Sequence, residues 1–166
     1  MDGKHVVIQA PENSGSYYFN YKGTFSIVLL ALVDADYQFT YVDVGRSGRA
    51  SDSGVFKQSS LAKALGIGEL NITSKCKLPG TEQMVPYVFV GDDAFPLTSG
   101  IMKPYKVKGH LTKEQRIFNY RLSRARRIVE NAFGILANRF RVFMKPIALE
   151  PRKVESVILA CVLITG

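Results

Sequence analysis

The sequence contains no tryptophan and has only two cysteines and two histidines. Cys76 lies in a polar stretch, Cys161 lies in an apolar one, and neither belongs to a CxxC pair. A reduced, intracellular compartment is the simplest environment for such cysteines. The histidines, His5 and His110, are too few for a histidine-rich zinc site.

Long apolar runs are also missing. The runs at residues 27–33 and 157–164 are far short of the roughly 18 residues that a membrane helix needs. We therefore expect no membrane partner. The 166 residues are 46% hydrophobic and 22% charged, which is ordinary for a globular protein with a real core. Residues 1–166 are expected to form a single domain.

Positive charge is concentrated in one segment. The chain has a net charge of +8, but residues 103–145 hold five lysines and seven arginines against two acids, a net +10 that leaves −2 for the rest. A basic block on an otherwise nearly neutral domain is typical of a surface that binds a polyanion such as nucleic acid. A generic solvated face is the alternative interpretation.

Hydrophobic patterning predicts an α/β fold. Early hairpin-forming strands followed by a crossover indicate a mixed sheet with helices on its faces. A capping box, Thr112 with Gln115, marks the start of a helix at Lys113, and Asp52 or Ser53 can cap the helix at 54–65. The strands are expected at 4–10, 24–33, 37–44 and 85–90, and the helices at 54–65, from 113, at 121–141 and at 151–165.

The segment 121–141 carries the main ambiguity. Its apolar residues follow the spacing of one buried helical stripe, and beside the stripe lies a single carboxylate, Glu130. Arg126 and Arg127 precede Glu130 by one turn and share its face. This is either an ordinary surface helix with a local Glu–Arg pair, or a helix that brings one acid into a basic, phosphate-binding surface.

Four carboxylates stand where predicted elements begin or end, or on the basic helix. Sites in open α/β sheets collect at strand ends, and converging carboxylates can hold hard divalent cations. Two such ions can support phosphodiester cleavage. Spacing alone also allows structural roles, namely a helix cap, a turn and a terminal residue. The four acids are Asp2, Asp52, Asp92 and Glu130.

Several motifs resemble, in order, those of the PIF/Harbinger transposase endonuclease family. MDGKHVVIQAP resembles its opening DG-K/T-H, and SYYFNYKGTFS is similar to its Y-x-N-x-KG-x-x-S. GRASDSGVF resembles the G-x-x-x-D segment, and VGDDAFPL resembles GD-x-x-F/Y-PL. FNYRLSRARRIVENAFGILANRFRVF resembles the last motif, which carries the family's glutamate. The resemblance covers nearly the whole chain.

This resemblance implies an RNase H-like fold and a DDE nuclease that uses Mg²⁺ or Mn²⁺ to cleave DNA. It places the catalytic acids at Asp2, Asp92 and Glu130, with Asp52 as a further metal ligand and Asp93 as secondary. It also implies a nuclear location and a separate Myb-like DNA-binding partner. The local candidates for contacts with DNA are Lys103, Lys106, Arg126 and Arg127.

One departure from the family concerns Asp2. Family members carry a helical region and several strand residues before this acid, whereas only Met1 precedes it here. We therefore expect an N-terminally truncated domain in which the strand end at Asp2 frays. Two hypotheses follow: a metal-dependent DNA endonuclease, and a catalytically impaired remnant that serves as a DNA-binding or protein-interaction module.

Overall fold

The computed structural model describes residues 1–70, 75–107 and 109–165. Within these residues the chain forms short and long strands, four α-helices and one 3-10 helix. The strands are β1 (Asp2–Val7), β2 (Ser26–Val33), β3 (Phe39–Ser47), β4 (Cys76–Lys77), β5 (Met84–Val85), β6 (Phe89–Val90) and β7 (Ile101–Met102). The helices are α1 (Asp52–Gln58), α2 (Ser60–Ile67), α3 (Lys113–Arg139) and α4 (Pro151–Thr165), and the 3-10 helix is Arg141–Met144.

The main sheet is an antiparallel meander in the order β1-β2-β3. Asp2 pairs with Ala31 at one end of the β1–β2 ladder, and Val7 pairs with Ser26 at the other. Two smaller sheets accompany it, an antiparallel β4–β5 pair and a parallel β6–β7 pair. The α/β class predicted from the sequence is confirmed.

Strand β2 divides the core into two layers because its side chains alternate between the faces of the sheet. Ile27, Leu29 and Ala31 pack against α3 and α4. Val28 and Leu30 are among the residues that pack on the opposite face, against α1, α2 and the segment after β6. With both faces covered, β2 is apolar along its length and is buried as predicted.

Helix α3 is one continuous element of 27 residues that joins the two helices predicted from 113 and at 121–141, and it ends at Arg139 rather than at 141. The predicted capping box of Thr112 and Gln115 is present at its start. Most of the predicted apolar stripe is buried, but Ala125 is exposed. One side of α3 therefore lies on the sheet while its basic side faces solvent.

The predicted helix at 54–65 is wrong in two respects. It is broken at Ser59, whose buried hydroxyl donates to the Phe56 carbonyl oxygen at 2.6 Å and accepts from the Ala62 N–H at 3.1 Å. Ser59 thus ends α1 and caps α2. The N-cap of α1 is Ser51, not Asp52 or Ser53, so the Asp52 carboxylate is not the capping group.

The predicted strand at 85–90 is also interrupted. Met84–Val85 and Phe89–Val90 belong to different sheets. Pro86 lies between them and has no N–H to donate to a ladder. None of the described helices is both long and apolar enough to cross a bilayer.

Candidate metal centre

Three carboxylates from distant parts of the chain meet beside one end of the main sheet. Asp2 is the first residue of β1, Asp52 is the first residue of α1, and Asp92 follows β6 by one glycine. One oxygen from each side chain lies within 4.8 Å of the others. The sequence predicted that Asp2, Asp92 and Glu130 converge, with Asp52 nearby. The structure brings Asp2, Asp52 and Asp92 together, but this group does not include Glu130.

Asp2 is held from several directions. Its Oδ1 accepts from the Gly3 N–H at 2.9 Å, and its Oδ2 accepts from Arg126 Nη1 at 3.3 Å. Met1 is buried, and its nitrogen donates to the Val90 carbonyl oxygen at 2.7 Å. The start of β1 thus has partners on the β2 side and on the β6 side. The fraying expected at Asp2 stays a prediction.

Asp52 is the acid with an unmet need. Its Oδ1 is buried and has no hydrogen-bond partner among the residues that the structure describes, and an unpaired buried oxygen costs free energy. The carboxylate rests directly on Gly3: a Cβ there would lie 2.2 Å from Oδ1. Burial, and after it the charges of Asp2 and Asp92, raises the pKa of Asp52 from 3.8 to about 6.

Asp92 is positioned by the segment that follows β6. Its Oδ1 accepts from the Ala94 N–H at 2.9 Å. Lys103 fastens the same segment, because its Nζ donates to the carbonyl oxygens of Asp93 and Phe95 at 2.8 and 2.7 Å. Phe95 is fully buried and contacts Phe56 of α1 edge-to-face. The helix that carries Asp52 and the turn that carries Asp92 are therefore packed together.

Glu130 lies outside the group of three. Its Oε1 pairs with Arg126 Nη2 at 2.8 Å, and the other terminal nitrogen of Arg126 faces Asp2. Arg126 therefore bridges Glu130 and Asp2. The local Glu–Arg pair of the first interpretation is present, and the phosphate-binding surface of the second interpretation stays a prediction.

The cluster suits a hard divalent cation. It offers carboxylate oxygens, the ligands that Mg²⁺ and Mn²⁺ prefer, and one of them is buried without a partner. Burial raises the pKa of Asp2, opposed by the Gly3 N–H and Arg126 and reinforced by Asp92. The free energy stored in crowded, desolvated carboxylates is released when a cation neutralises them.

Not all of the predicted basic residues face solvent freely. Lys103 and Arg126 have the internal partners described above, and Lys106 lies 4.0 Å from Asp93. Arg127 is exposed and forms no salt bridge within the described residues. The role of these four in binding DNA stays a prediction.

A second basic row on α3, made of three arginines and a tyrosine, was not predicted from the sequence. Arg116, Tyr120 and Arg124 are exposed and follow one another at intervals of four residues, and Arg127 continues the row after three. The Arg124 guanidinium lies 6.0 Å from the centre of the Tyr120 ring. Helical spacing of the exposed arginines was the signal that could have found this row.

Comparison with known proteins decides the family. The model of the DDE superfamily endonuclease matches residues 1–165. The chain belongs to this family. It is 31% identical over 144 residues to a protein named "Protein ALP1-like" of Arabidopsis thaliana, covering 86% of the chain and 35% of that protein. It is 26% identical over 164 residues to the human "Putative nuclease HARBI1", covering 97% of the chain and 42% of that protein.

The bovine "Putative nuclease HARBI1" is 27% identical over 164 residues, again with 97% and 42% of the two chains covered. The chain thus spans less than half the length of these relatives. No solved structure matches. The family resemblance stated from the sequence motifs is confirmed, and the α/β architecture is consistent with an RNase H-like DDE domain.

Proposed function

We propose that this chain is a divalent-metal-dependent endonuclease domain, spanning residues 1–166, that cleaves phosphodiester bonds of DNA. The observation that carries the proposal is the buried, unpartnered Oδ1 of Asp52, held near Asp2 and Asp92. Such an oxygen is costly unless something positive binds it. Membership of the endonuclease family supports the same chemistry.

In this proposal Asp2, Asp52 and Asp92 hold Mg²⁺ or Mn²⁺, and Glu130 joins them as the third catalytic acid of the family pattern. Bound divalent cations in such sites activate water and stabilise the leaving oxygen. Gly3 gives the Asp52 carboxylate room, and Lys103 fixes the turn that carries Asp92. Arg126 bridges Asp2 and Glu130 through its two terminal nitrogens, and Glu130 joins the metal site when Arg126 releases it.

The substrate is proposed to be DNA because the exposed row on α3 can follow a phosphate backbone. Arg116, Arg124 and Arg127 project from one side of a helix that rises about 6 Å every four residues. Of the basic residues predicted from the sequence, Arg127 is proposed to contact DNA directly. Lys103 instead holds the turn that carries Asp92, and Arg126 pairs with Asp2 and Glu130. A nuclear location and a separate Myb-like DNA-binding partner belong to the same proposal, and both rest on the family resemblance.

A second candidate function follows from Arg126. Its guanidinium already bridges Asp2 and Glu130, so the chain supplies its own cation at one edge of the cluster. If that bridge persists when DNA binds, the domain is a DNA-binding or protein-interaction module without turnover.

Nicking of supercoiled plasmid DNA by the purified chain, with and without Mn²⁺, separates the two. We expect metal-dependent nicking that falls more than about a hundredfold in Asp92→Ala, because fixed ligand geometry governs such rates. Asp36→Ala is the matched control, since Asp36 is exposed in the β2–β3 turn. DNA binding without nicking under any metal would favour the second candidate.

A further inference from the structure

The loop at residues 17–26 contributes no carboxylate to the metal centre, but several side-chain hydrogen bonds fix its conformation. Asn20 is buried, and its Nδ2 donates to the hydroxyls of Thr24 and Ser26 at 2.9 and 2.7 Å. Its Oδ1 accepts from the Lys22 N–H at 2.9 Å. His5 Nδ1 lies 2.8 Å from the Ser26 hydroxyl, which ties this loop to β1. The loop is therefore held in one conformation by buried side-chain hydrogen bonds.

This rigid loop displays an aromatic ring to solvent. Tyr21 is 82% exposed, although its neighbours in the chain, Asn20 and Lys22, are held by hydrogen bonds. The ring meets His5 edge-to-face, with 5.5 Å between centroids, and Lys22 Nζ lies 5.5 Å from its centre. His5 and Lys22 thus orient the Tyr21 ring, and most of its surface stays exposed.

A cavity of about 780 Å³ joins this ring to the acids. Its walls come from the Tyr21 loop and the turn between β3 and α1, and Asp52 and Asp92 border its other side. The volume is within the range of small-molecule and cofactor sites. A group lying beside Tyr21 would therefore be next to the metal centre.

The charges around the cavity match a nucleotide. Arg49 lines the wall, is exposed, and makes no salt bridge with a described residue. Lys22 stands beside Tyr21, so cations for phosphates and a ring for a base occur together. In a paired duplex the base faces are already stacked, so only an unpaired or flipped nucleotide can use such a ring.

We propose that this cavity receives one unpaired nucleotide next to the phosphate that is cleaved, with its base stacked on Tyr21 and its backbone held by Lys22 and Arg49. The inference rests on the proposed function and narrows its substrate to DNA with an extrahelical or single-stranded nucleotide beside the cut. His5 sets the angle of the stacking ring, and Asn20 and Ser26 hold the loop that presents it.

The test compares two labelled DNAs in Ca²⁺ by fluorescence anisotropy: a perfect duplex, and the same duplex with one unpaired 2-aminopurine. The full chain should prefer the unpaired DNA and should quench the 2-aminopurine by stacking. Tyr21→Ala should bind the unpaired DNA about five- to a hundredfold more weakly, as expected for one lost base–aromatic stack, and should bind the duplex as before. Tyr21→Phe should behave as the parent chain does.

Tyr17→Ala is the matched control, because Tyr17 is 60% exposed in the same loop but does not line the cavity. It should keep the preference for unpaired DNA. Equal affinity of the parent chain for both DNAs, or a preference that survives in Tyr21→Ala, would overturn the inference and leave the nuclease proposal standing. Failure to bind either DNA would overturn the proposed DNA substrate as well.

Discussion

Asp52 on α1 and Glu130 on α3 differ in how their charge is compensated. An Asp52 oxygen is buried and has no hydrogen-bond partner among the described residues, and burial and the neighbouring acids raise the pKa of Asp52 to about 6. The Glu130 side chain is 45% exposed and pairs with Arg126. Within the described residues Asp52 forms no salt bridge, whereas Arg126 pairs with Glu130.

This difference indicates where a metal binds first. A desolvated carboxylate without a partner is destabilised, so it gains most from a cation. An exposed Glu–Arg pair separated by one helical turn is common on protein surfaces and gains little. We infer that Asp2, Asp52 and Asp92 form the primary metal site and that Glu130 joins only when Arg126 releases it.

Among the changes that test this difference between Asp52 and Glu130, Gly3→Ala should have the largest effect. The added methyl carbon would lie 2.2 Å from Asp52 Oδ1 and 2.6 Å from its carboxyl carbon, so the Asp52 carboxylate must move. We expect about a ten- to a hundredfold loss of Mn²⁺ affinity, the range seen when a metal ligand loses its positioning. Isothermal titration calorimetry measures it.

Gly134→Ala provides the control for that experiment. Nothing lies within 4 Å of a Cβ at Gly134, which is exposed within α3. This variant should keep its metal affinity and gain up to about 1 kcal/mol in the free energy of unfolding, since alanine favours helix. Unchanged Mn²⁺ affinity in Gly3→Ala would show that Asp52 is not a ligand.

The part of this site that the sequence predicted is the proximity of Asp2, Asp52 and Asp92, which lie together in the structure. The catalytic roles of Asp2, Asp92 and Glu130 stay predictions. Hydrophobic periodicity placed β2 and α4, whose predicted bounds of 151–165 agree with the structure. Local patterns of this kind depend on neighbours in the chain, which a sequence displays directly.

The sequence did not predict the contacts that distinguish Asp52, with its unpartnered oxygen, from Glu130, which pairs with Arg126. Arg126 and Asp2 are 124 positions apart in the sequence, yet they form a hydrogen bond. A side chain at position 3 would clash with the Asp52 carboxylate, and this clash depends on where α1 begins. That start was misjudged, because Ser51 rather than Asp52 is the cap. A buried serine that both ends α1 and starts α2 also resembles, in sequence, an ordinary helical residue.

A smaller effect is expected from pH. Asp52 has a folded pKa of about 6 against 3.8 for an unperturbed carboxyl, so the folded state binds more protons between these values. As pH falls from 7 to 5, Asp52 should therefore contribute a gain of about 1 kcal/mol to the stability of the metal-free chain, after allowance for its partial exposure. The Met1 amino group and His5 act in the opposite direction, because burial lowers their pKa values, so the Asp52 gain is read as a difference between two proteins that share these groups. Thermal denaturation of the parent chain and of Asp52→Asn measures this gain.

Stability should change more favourably in the parent chain than in Asp52→Asn, which cannot titrate at this position. Asp2, the Met1 amino group and His5 also have shifted pKa values, but they are present in both proteins. Mn²⁺ affinity should follow the opposite course and weaken as pH falls through about 6, because protons compete for the same oxygens. Identical pH profiles in the parent chain and Asp52→Asn would contradict the assignment of the raised pKa to Asp52.

The smallest expected effect separates two neighbouring arginines. Arg127→Ala should lower the slope of log affinity for DNA against log salt by about 0.9, the value for one lost phosphate contact. Arg126→Ala should leave the slope unchanged, because Arg126 is occupied by Asp2 and Glu130. The reverse pattern, measured by anisotropy across a salt series, would assign the DNA contact to Arg126.

The most direct measurement is the Mn²⁺-induced rise in melting temperature of three matched proteins: the parent chain, Asp52→Asn and Glu130→Gln. Binding to the folded state alone stabilises it by mass action, about 2.7 kcal/mol at a hundredfold excess over Kd. We predict that the rise is nearly lost in Asp52→Asn and largely kept in Glu130→Gln. A rise that survives in Asp52→Asn but disappears in Glu130→Gln would contradict the account.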